Sequence, residues 1–185
     1  TDAVITAIFN HPVVPLGVTS DAAALPNPLR IDPPTPGRGE WLNTSIYVFR
    51  PDPALAGGTT YTVTVNEGLR AVDGAVLEAP FTWTFSTLPP RVVETSPRAS
   101  ASGVLLNAPV EVTFNQPMDR ASTEAAFFLR PSEQASGTLA GAFAWSDDST
   151  RMTFRPADLL ARDTLYAAGF DDAAARAQVG SAVLE

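Results

Sequence analysis

Apolar and polar residues alternate along much of this chain. Phe81-Thr82-Trp83-Thr84-Phe85-Ser86-Thr87 sets three aromatics on one side of an extended segment and hydroxyls on the other, and Tyr61-Thr62-Val63-Thr64-Val65 does the same. Val110, Val112 and Phe114 alternate with Glu111 and Thr113. A period of two in Thr, Val, Phe, Tyr and Trp predicts half-buried β-strands, because successive side chains leave a strand on opposite faces. Turn signals separate these segments: Ala56-Gly57-Gly58, Val72-Asp73-Gly74, Ser146-Asp147-Asp148-Ser149 and Pro33-Pro34-Thr35-Pro36-Gly37. Two stretches carry helix signals. Residues 120–127 predict a turn or two of helix, and residues 171–178 place capping aspartates before an alanine-rich run. Short strands at regular spacing predict an all-β fold of sandwich type.

The pattern occurs twice. Ile5-Thr6-Ala7-Ile8-Phe9-Asn10-His11-Pro12 aligns with Val110-Glu111-Val112-Thr113-Phe114-Asn115-Gln116-Pro117. Trp41 followed by Tyr47-Val48-Phe49-Arg50-Pro51 aligns with Trp145 followed by Met152-Thr153-Phe154-Arg155-Pro156, and Leu55 and Tyr61 align with Leu160 and Tyr166. Three anchors in one order at nearly one spacing indicate a duplication. Leu88-Pro89-Pro90 marks the boundary, since a double proline is stiff and offers no ladder donors; the expected shape is a rod with limited bending. The repeat also predicts what each copy lacks. Arg91-Val92-Val93-Glu94-Thr95-Ser96-Pro97 has no counterpart in the first copy, and residues 81–87 have none in the second. The expectation is therefore one module over residues 1–88 without its opening strand and another over 91–185 without its closing strand. Open edges invite pairing with another chain, including another copy.

Composition narrows the chemistry. The net charge of −8 and the absence of a basic stripe argue against nucleic acid. All 12 basic residues are arginine, so no lysine is present for a Schiff base or a phosphate-binding loop. With no cysteine, thiol nucleophiles, disulfides and thiolate metal sites are excluded within these 185 residues. No apolar run approaches the roughly 20 residues of a membrane helix, and no signal peptide opens the chain.

Phe114-Asn115-Gln116-Pro117-Met118-Asp119 resembles the F-[SN]-x-P-[MV]-[DN] strand end of bacterial Ig-like domains of surface-layer proteins. Phe154-Arg155-Pro156…Leu160…Tyr166 and Phe49-Arg50-Pro51…Leu55…Tyr61 are similar to the middle of the same family. The resemblance implies two tandem Ig-like β-sandwich modules that are structural and non-catalytic, on an exported bacterial protein at the cell surface or in the envelope. A narrower likeness joins Pro33-Pro34, Gly39-Glu40-Trp41 and residues 61–65 with residues 88–93 and 114–117. That combination resembles the N-terminal regions of bacterial alpha-2-macroglobulin-like proteins, which are envelope protease traps. Their Cys-Gly-Glu-Gln thioester has no place in a cysteine-free chain, so the likeness implies scaffold modules, whose partners are neighbouring domains of the parent and, through it, proteases. A spacer in a surface-layer or adhesion protein is the alternative, and a metal-carrying sandwich a weaker one.

Individual residues support no catalytic, cofactor or metal assignment. His11 is the single histidine, and the matching position holds Gln116; a metal needs several ligands. Asp147-Asp148 and Asp171-Asp172 lack calcium-loop spacing and read as turn and cap residues, while a calcium site at the linker stays open. Trp41, Trp83 and Trp145 read as core residues. No Gly-x-Ser-x-Gly elbow occurs, so a hydrolase has no support.

Overall fold

The computed structural model describes residues 3–16, 25–171, 174–180 and 184. The chain divides into two compact units, Thr1–Leu55 with Thr60–Thr87, and Ala56–Thr59 with Leu88–Glu185.

The first unit contains β1 (Ile5–Ile8), β2 (Leu29–Asp32), β3 (Gly37–Trp41), β4 (Ile46–Pro51), β5 (Thr60–Val65) and β6 (Phe81–Ser86). They form two antiparallel three-stranded sheets, β1-β4-β3 and β2-β5-β6. The inward positions are the ones alternation selects. Ile5 and Ala7 of β1, Tyr47 and Phe49 of β4, Leu29 of β2, and Val63 and Val65 of β5 make one buried cluster fed by both sheets. Burying a Val, Leu or Phe side chain is worth about 1.5–3 kcal/mol, so this cluster is the main stabilising term.

The second unit contains β7 (Val92–Ser96), β8 (Val110–Phe114), α1 (Arg120–Ala126), β9 (Phe127–Pro131), β10 (Gly141–Trp145), β11 (Arg151–Pro156) and β12 (Tyr166–Phe170). Its sheets are β10-β11-β8-β7 and β12-β9. Val110, Val112 and Phe114 of β8, Met152 and Phe154 of β11, and Phe127 and Leu129 of β9 form its core, closed by Met118, Ala126 and Ala175.

The duplication is visible bond by bond. Phe9 N–H donates to Ser45 O (2.9 Å) and Val13 N–H to Thr44 O (2.7 Å); Phe114 N–H donates to Thr150 O (2.8 Å) and Met118 N–H to Ser149 O (3.0 Å). The strands β1 to β5 correspond to β8 to β12 in order, with the same antiparallel pairings. Among the described residues, β7 has no counterpart in the first unit and β6 none in the second.

Two expectations are corrected. Asp171 and residues 174–178 are not helical, against the helix that alanine content and capping aspartates suggest over 171–178; Asp172 and Ala173 lie outside the described residues. Ala175 and Ala177 are buried while Arg176 is exposed, and Ala177 bridges Met118. Extended packing against the core outweighs helix propensity, which is a weak local preference. On β6 the register sets Phe81, Trp83 and Phe85 opposite Val65, Val63 and Tyr61, on the core side. Yet Phe81 is 62% exposed and Trp83 and Phe85 are only half-buried, because β6 is an edge strand covering the rim.

Candidate functional site

The strand-end segment after β8 concentrates the polar residues that could carry chemistry. Asn115 extends from the end of β8 and accepts the Arg91 N–H (2.9 Å) while its amide donates to Pro89 O (2.9 Å). Met118 is fully buried. Asp119 is the N-cap of α1: its carboxylate accepts the Ser122 N–H at 2.8 Å, and that bond holds its pKa below the usual carboxylate value. Arg120 then reaches back over Trp145 to donate to Ser149 Oγ (2.9 Å) and Ser146 O (2.9 Å). Gln116, in the same motif, differs: its Nε2 is buried with no hydrogen-bond partner among the described residues.

The paired aspartates behave similarly. Asp148 accepts hydrogen bonds from Ser146 Oγ (2.6 Å), Thr150 N (3.2 Å) and Thr150 Oγ1 (2.9 Å), and these hold its pKa low. Asp147 lies beside it in the same exposed turn, where Ser149 takes φ 57°. Asp171 N–H donates to Ala126 O (2.8 Å), and Asp172 lies outside the described residues.

His11 sits in the first unit at the position matching Gln116. Its Nδ1 lies 2.6 Å from Asp73 Oδ2, with both side chains nearly half exposed. The His11 bond is the largest cause of Asp73's lowered pKa, and the Ala75 N–H on Oδ1 (3.1 Å) is the next. The 71–75 turn also docks on this segment through Val72 N–H to Pro12 O (2.8 Å). Among the described residues no three His, Asp or Glu side chains converge in a way that could hold a metal.

The three tryptophans are half-buried packing residues, and Trp41 and Trp145 each make one indole hydrogen bond. Trp41 Nε1 donates to Pro26 O (2.9 Å) and lies against Phe9 and Tyr47. Trp145 Nε1 donates to Glu124 Oε1 (2.7 Å) and stacks on Phe114. The Leu160…Tyr166 pattern also acquires a structural meaning. Leu160 packs on the core, and the Tyr166 hydroxyl accepts the Ala161 N–H at 2.9 Å, pinning the loop five residues upstream.

Sequence reasoning did not single out Gly37 and Gly141. Each begins its strand opposite a proline, Pro51 or Pro156, and a Cβ there would strike the ring of Phe49 or Phe154 and the next carbonyl. The available signal was a glycine four residues before tryptophan in both copies. Asn27 was also missed: its Oδ1 accepts from Tyr47 Oη (2.9 Å), whose pKa burial raises.

The sequence profile of the bacterial Ig-like domain matches residues 1–87 and again residues 88–183. The chain belongs to the bacterial Ig-like domain family. No curated protein matches it significantly. The two Ig-like domains are structural modules of a bacterial protein, of a family that is generally non-catalytic and typically carried on extracellular proteins. Among the described residues no helix is long and apolar enough to cross a membrane.

Proposed function

We propose that these Ig-like domains are scaffold modules of an exported alpha-2-macroglobulin-like protease inhibitor in the cell envelope, meeting proteases only through the parent protein. The observation that supports this reading is the structural employment of the residues carrying the likeness. A side chain at Gly39 would strike the Tyr47 hydroxyl, Glu40 pairs with Arg50 across the sheet surface (3.2 Å), Trp41 binds Pro26, and Asn115 ties residues 89 and 91 to β8. On the same reading each module is one strand short, residues 1–88 of a β7-like opening strand and residues 91–185 of a β6-like closing strand.

The test is to purify the parent from the bacterial envelope and add a protease. A trap lets the bound protease cleave small peptide substrates while protecting large proteins, and the isolated 185-residue chain does neither. A parent that leaves digestion of large proteins unchanged rejects the proposal. The tandem repeat with its double-proline connector favours a second reading, a spacer in a surface-layer or adhesion protein. Further Ig-like repeats or an anchoring segment in the parent, in place of a thioester region, would select it.

A further inference from the structure

One sheet edge of the first unit is open for reasons of topology. In the sheet β1-β4-β3 the strand β3 is outermost, and its counterpart β10 is outermost in β10-β11-β8-β7. The strands by which the two copies differ attach elsewhere, β7 to β8 and β6 to β5. The outer side of β3 is therefore an edge in the architecture of both copies, and no described strand pairs with it.

The backbone of β3 divides its polar groups by alternation. Asp52 N–H donates to Pro36 O (3.0 Å) and Leu42 N–H to Ile46 O (2.9 Å). Antiparallel ladders bond at alternate residues, so bonding to β4 falls at residues 36, 38, 40 and 42, and Gly37, Gly39 and Trp41 turn N–H and C=O outward. Pro51, opposite Gly37, fits that pattern because it has no N–H to give. Residues 37–40 are exposed and Trp41 is half-buried. Sheet edges are commonly guarded by proline, a bulge or charge. Between Gly37 and Trp41 there is no proline, the pairing with β4 runs without a register shift, and the charges are one of each sign. Glycine at two outward-bonding positions leaves the backbone open to close approach.

The charges select the partner. Arg38 stands directly across from Arg50, a like-charge arrangement that destabilises a sheet. Arg50 is compensated by Glu40 Oε1 (3.2 Å), whereas Arg38 has no hydrogen-bond or ion-pair partner among the described residues. The strand reads Gly-Arg-Gly-Glu-Trp. Laid antiparallel on a copy of itself with Gly39 at the two-fold axis, it sets Arg38 opposite Glu40 of the second copy, and Glu40 opposite Arg38 of the second copy. The same register brings Gly39 to Gly39 and Gly37 to Trp41, the residues whose backbone groups face outward. Backbone and charge agree on one register. In β10, Gly-Ala-Phe-Ala-Trp offers a similar edge with no charge to choose a register.

We propose that β3 is a self-pairing edge through which two copies of this chain associate, joining their β1-β4-β3 sheets into one continuous antiparallel sheet. The interface is isologous, so each contact occurs twice. Backbone bonds supply affinity, and the reciprocal Arg38–Glu40 pairs supply the register and offset the repulsion between Arg38 and Arg50. Five residues a side bury less than the roughly 1,000 Å² typical of stable interfaces, so association is weak and depends on concentration.

The test follows the 185-residue chain by sedimentation velocity and amide hydrogen exchange over a concentration series. A monomer–dimer equilibrium is expected, with protection at Gly37, Gly39 and Trp41 that grows with concentration and weakens as salt is raised. Arg38→Glu and Glu40→Arg each set like charges opposite one another in the dimer, and each is expected to associate about tenfold more weakly. Mixed one to one, the two variants are complementary again and are expected to form a heterodimer with the affinity of the wild-type pair. Neither a purely structural role of these residues nor a general effect of net charge gives that recovery. Both side chains are exposed, and an unchanged circular-dichroism spectrum checks that the variants fold; should either not fold, the concentration-dependent protection of the wild-type chain decides. A chain that stays monomeric, protection confined to β10, β12 or another edge, single variants that associate like wild type, or a mixture that fails to associate overturns the proposal.

Discussion

Gly141→Ala places a methyl group where the fold has no room. A Cβ at residue 141 would lie 2.6 Å from Cε2 of Phe154, against an ordinary carbon–carbon separation of about 3.5–4.0 Å, and would also meet the Arg155 carbonyl oxygen. The ring has nowhere to retreat: Phe154 is 2% exposed, with Phe143 at 4.9 Å and Phe127 at 5.0 Å between ring centroids. Overpacking of this kind costs about 1–3 kcal/mol. The opposing effect is the reduced freedom of the unfolded chain, which favours alanine over glycine by about 0.4–1 kcal/mol. The net expectation is destabilisation of about 1–2 kcal/mol, and each kcal/mol lowers Tm by about 4–8 °C for a unit of this size. Urea unfolding followed by tryptophan fluorescence measures it, with an unchanged slope excluding an altered unfolded state. Phe154→Leu in the same background should recover about 1 kcal/mol relative to additivity, because the shorter side chain relieves the clash. Gly37→Ala should act with the same sign through Phe49 and Arg50. A neutral or stabilising Gly141→Ala, or strict additivity with Phe154→Leu, would refute the packing account.

Thr123 Oγ1 is fully buried and has no hydrogen-bond partner among the described residues, so Thr123→Val should stabilise the chain by about 1 kcal/mol in the same urea experiment, and a loss of stability would reveal a bond to that hydroxyl. Asp119→Ala should cost about 0.5–2 kcal/mol at neutral pH through loss of the α1 cap. Because bonding to Ser122 lowers the folded pKa of Asp119, its charge-dependent stabilisation is complete above the unfolded value of 3.8 and disappears as pH falls through the folded value. The gap between wild type and Asp119→Ala should therefore narrow in acid, and a gap independent of pH would count against the cap. His11→Gln should raise the Asp73 titration midpoint seen by carboxyl NMR, and an unmoved midpoint would show that the 2.6 Å contact does not persist in solution.

The fold was legible where one period dominated. Alternation in residues 61–65, 81–87 and 110–114 placed β5, β6 and β8, and the helix signal within residues 120–127 placed α1. It failed at residues 174–178, where small side chains suit a helix and a tight extended packing equally well and burial of Ala175 and Ala177 decided between them. It also failed for the exposure of Phe81, since alternation reports which face a residue occupies, whereas exposure depends on whether another strand lies beyond it.

The candidate site was less legible for a related reason. Residues that recur in both copies, such as Phe9 and Phe114, Trp41 and Trp145, and Gly37 and Gly141, do the same packing work twice, so their recurrence identifies architecture. Some differences between the copies are also architecture, because they compensate. Gly39 under Tyr47 in the first unit becomes Phe143 beside Met152 in the second, exchanging volume across one strand pair. What remains after both kinds are set aside is uncompensated difference: His11 contacts Asp73 in the first unit, while in the second the matching Gln116 keeps its Nε2 buried with no hydrogen-bond partner among the described residues. The His11–Asp73 pair is exposed and its facing atoms, Nδ1 and Oδ2, satisfy each other, so the same strand-end position serves a surface contact in one copy and a buried amide in the other.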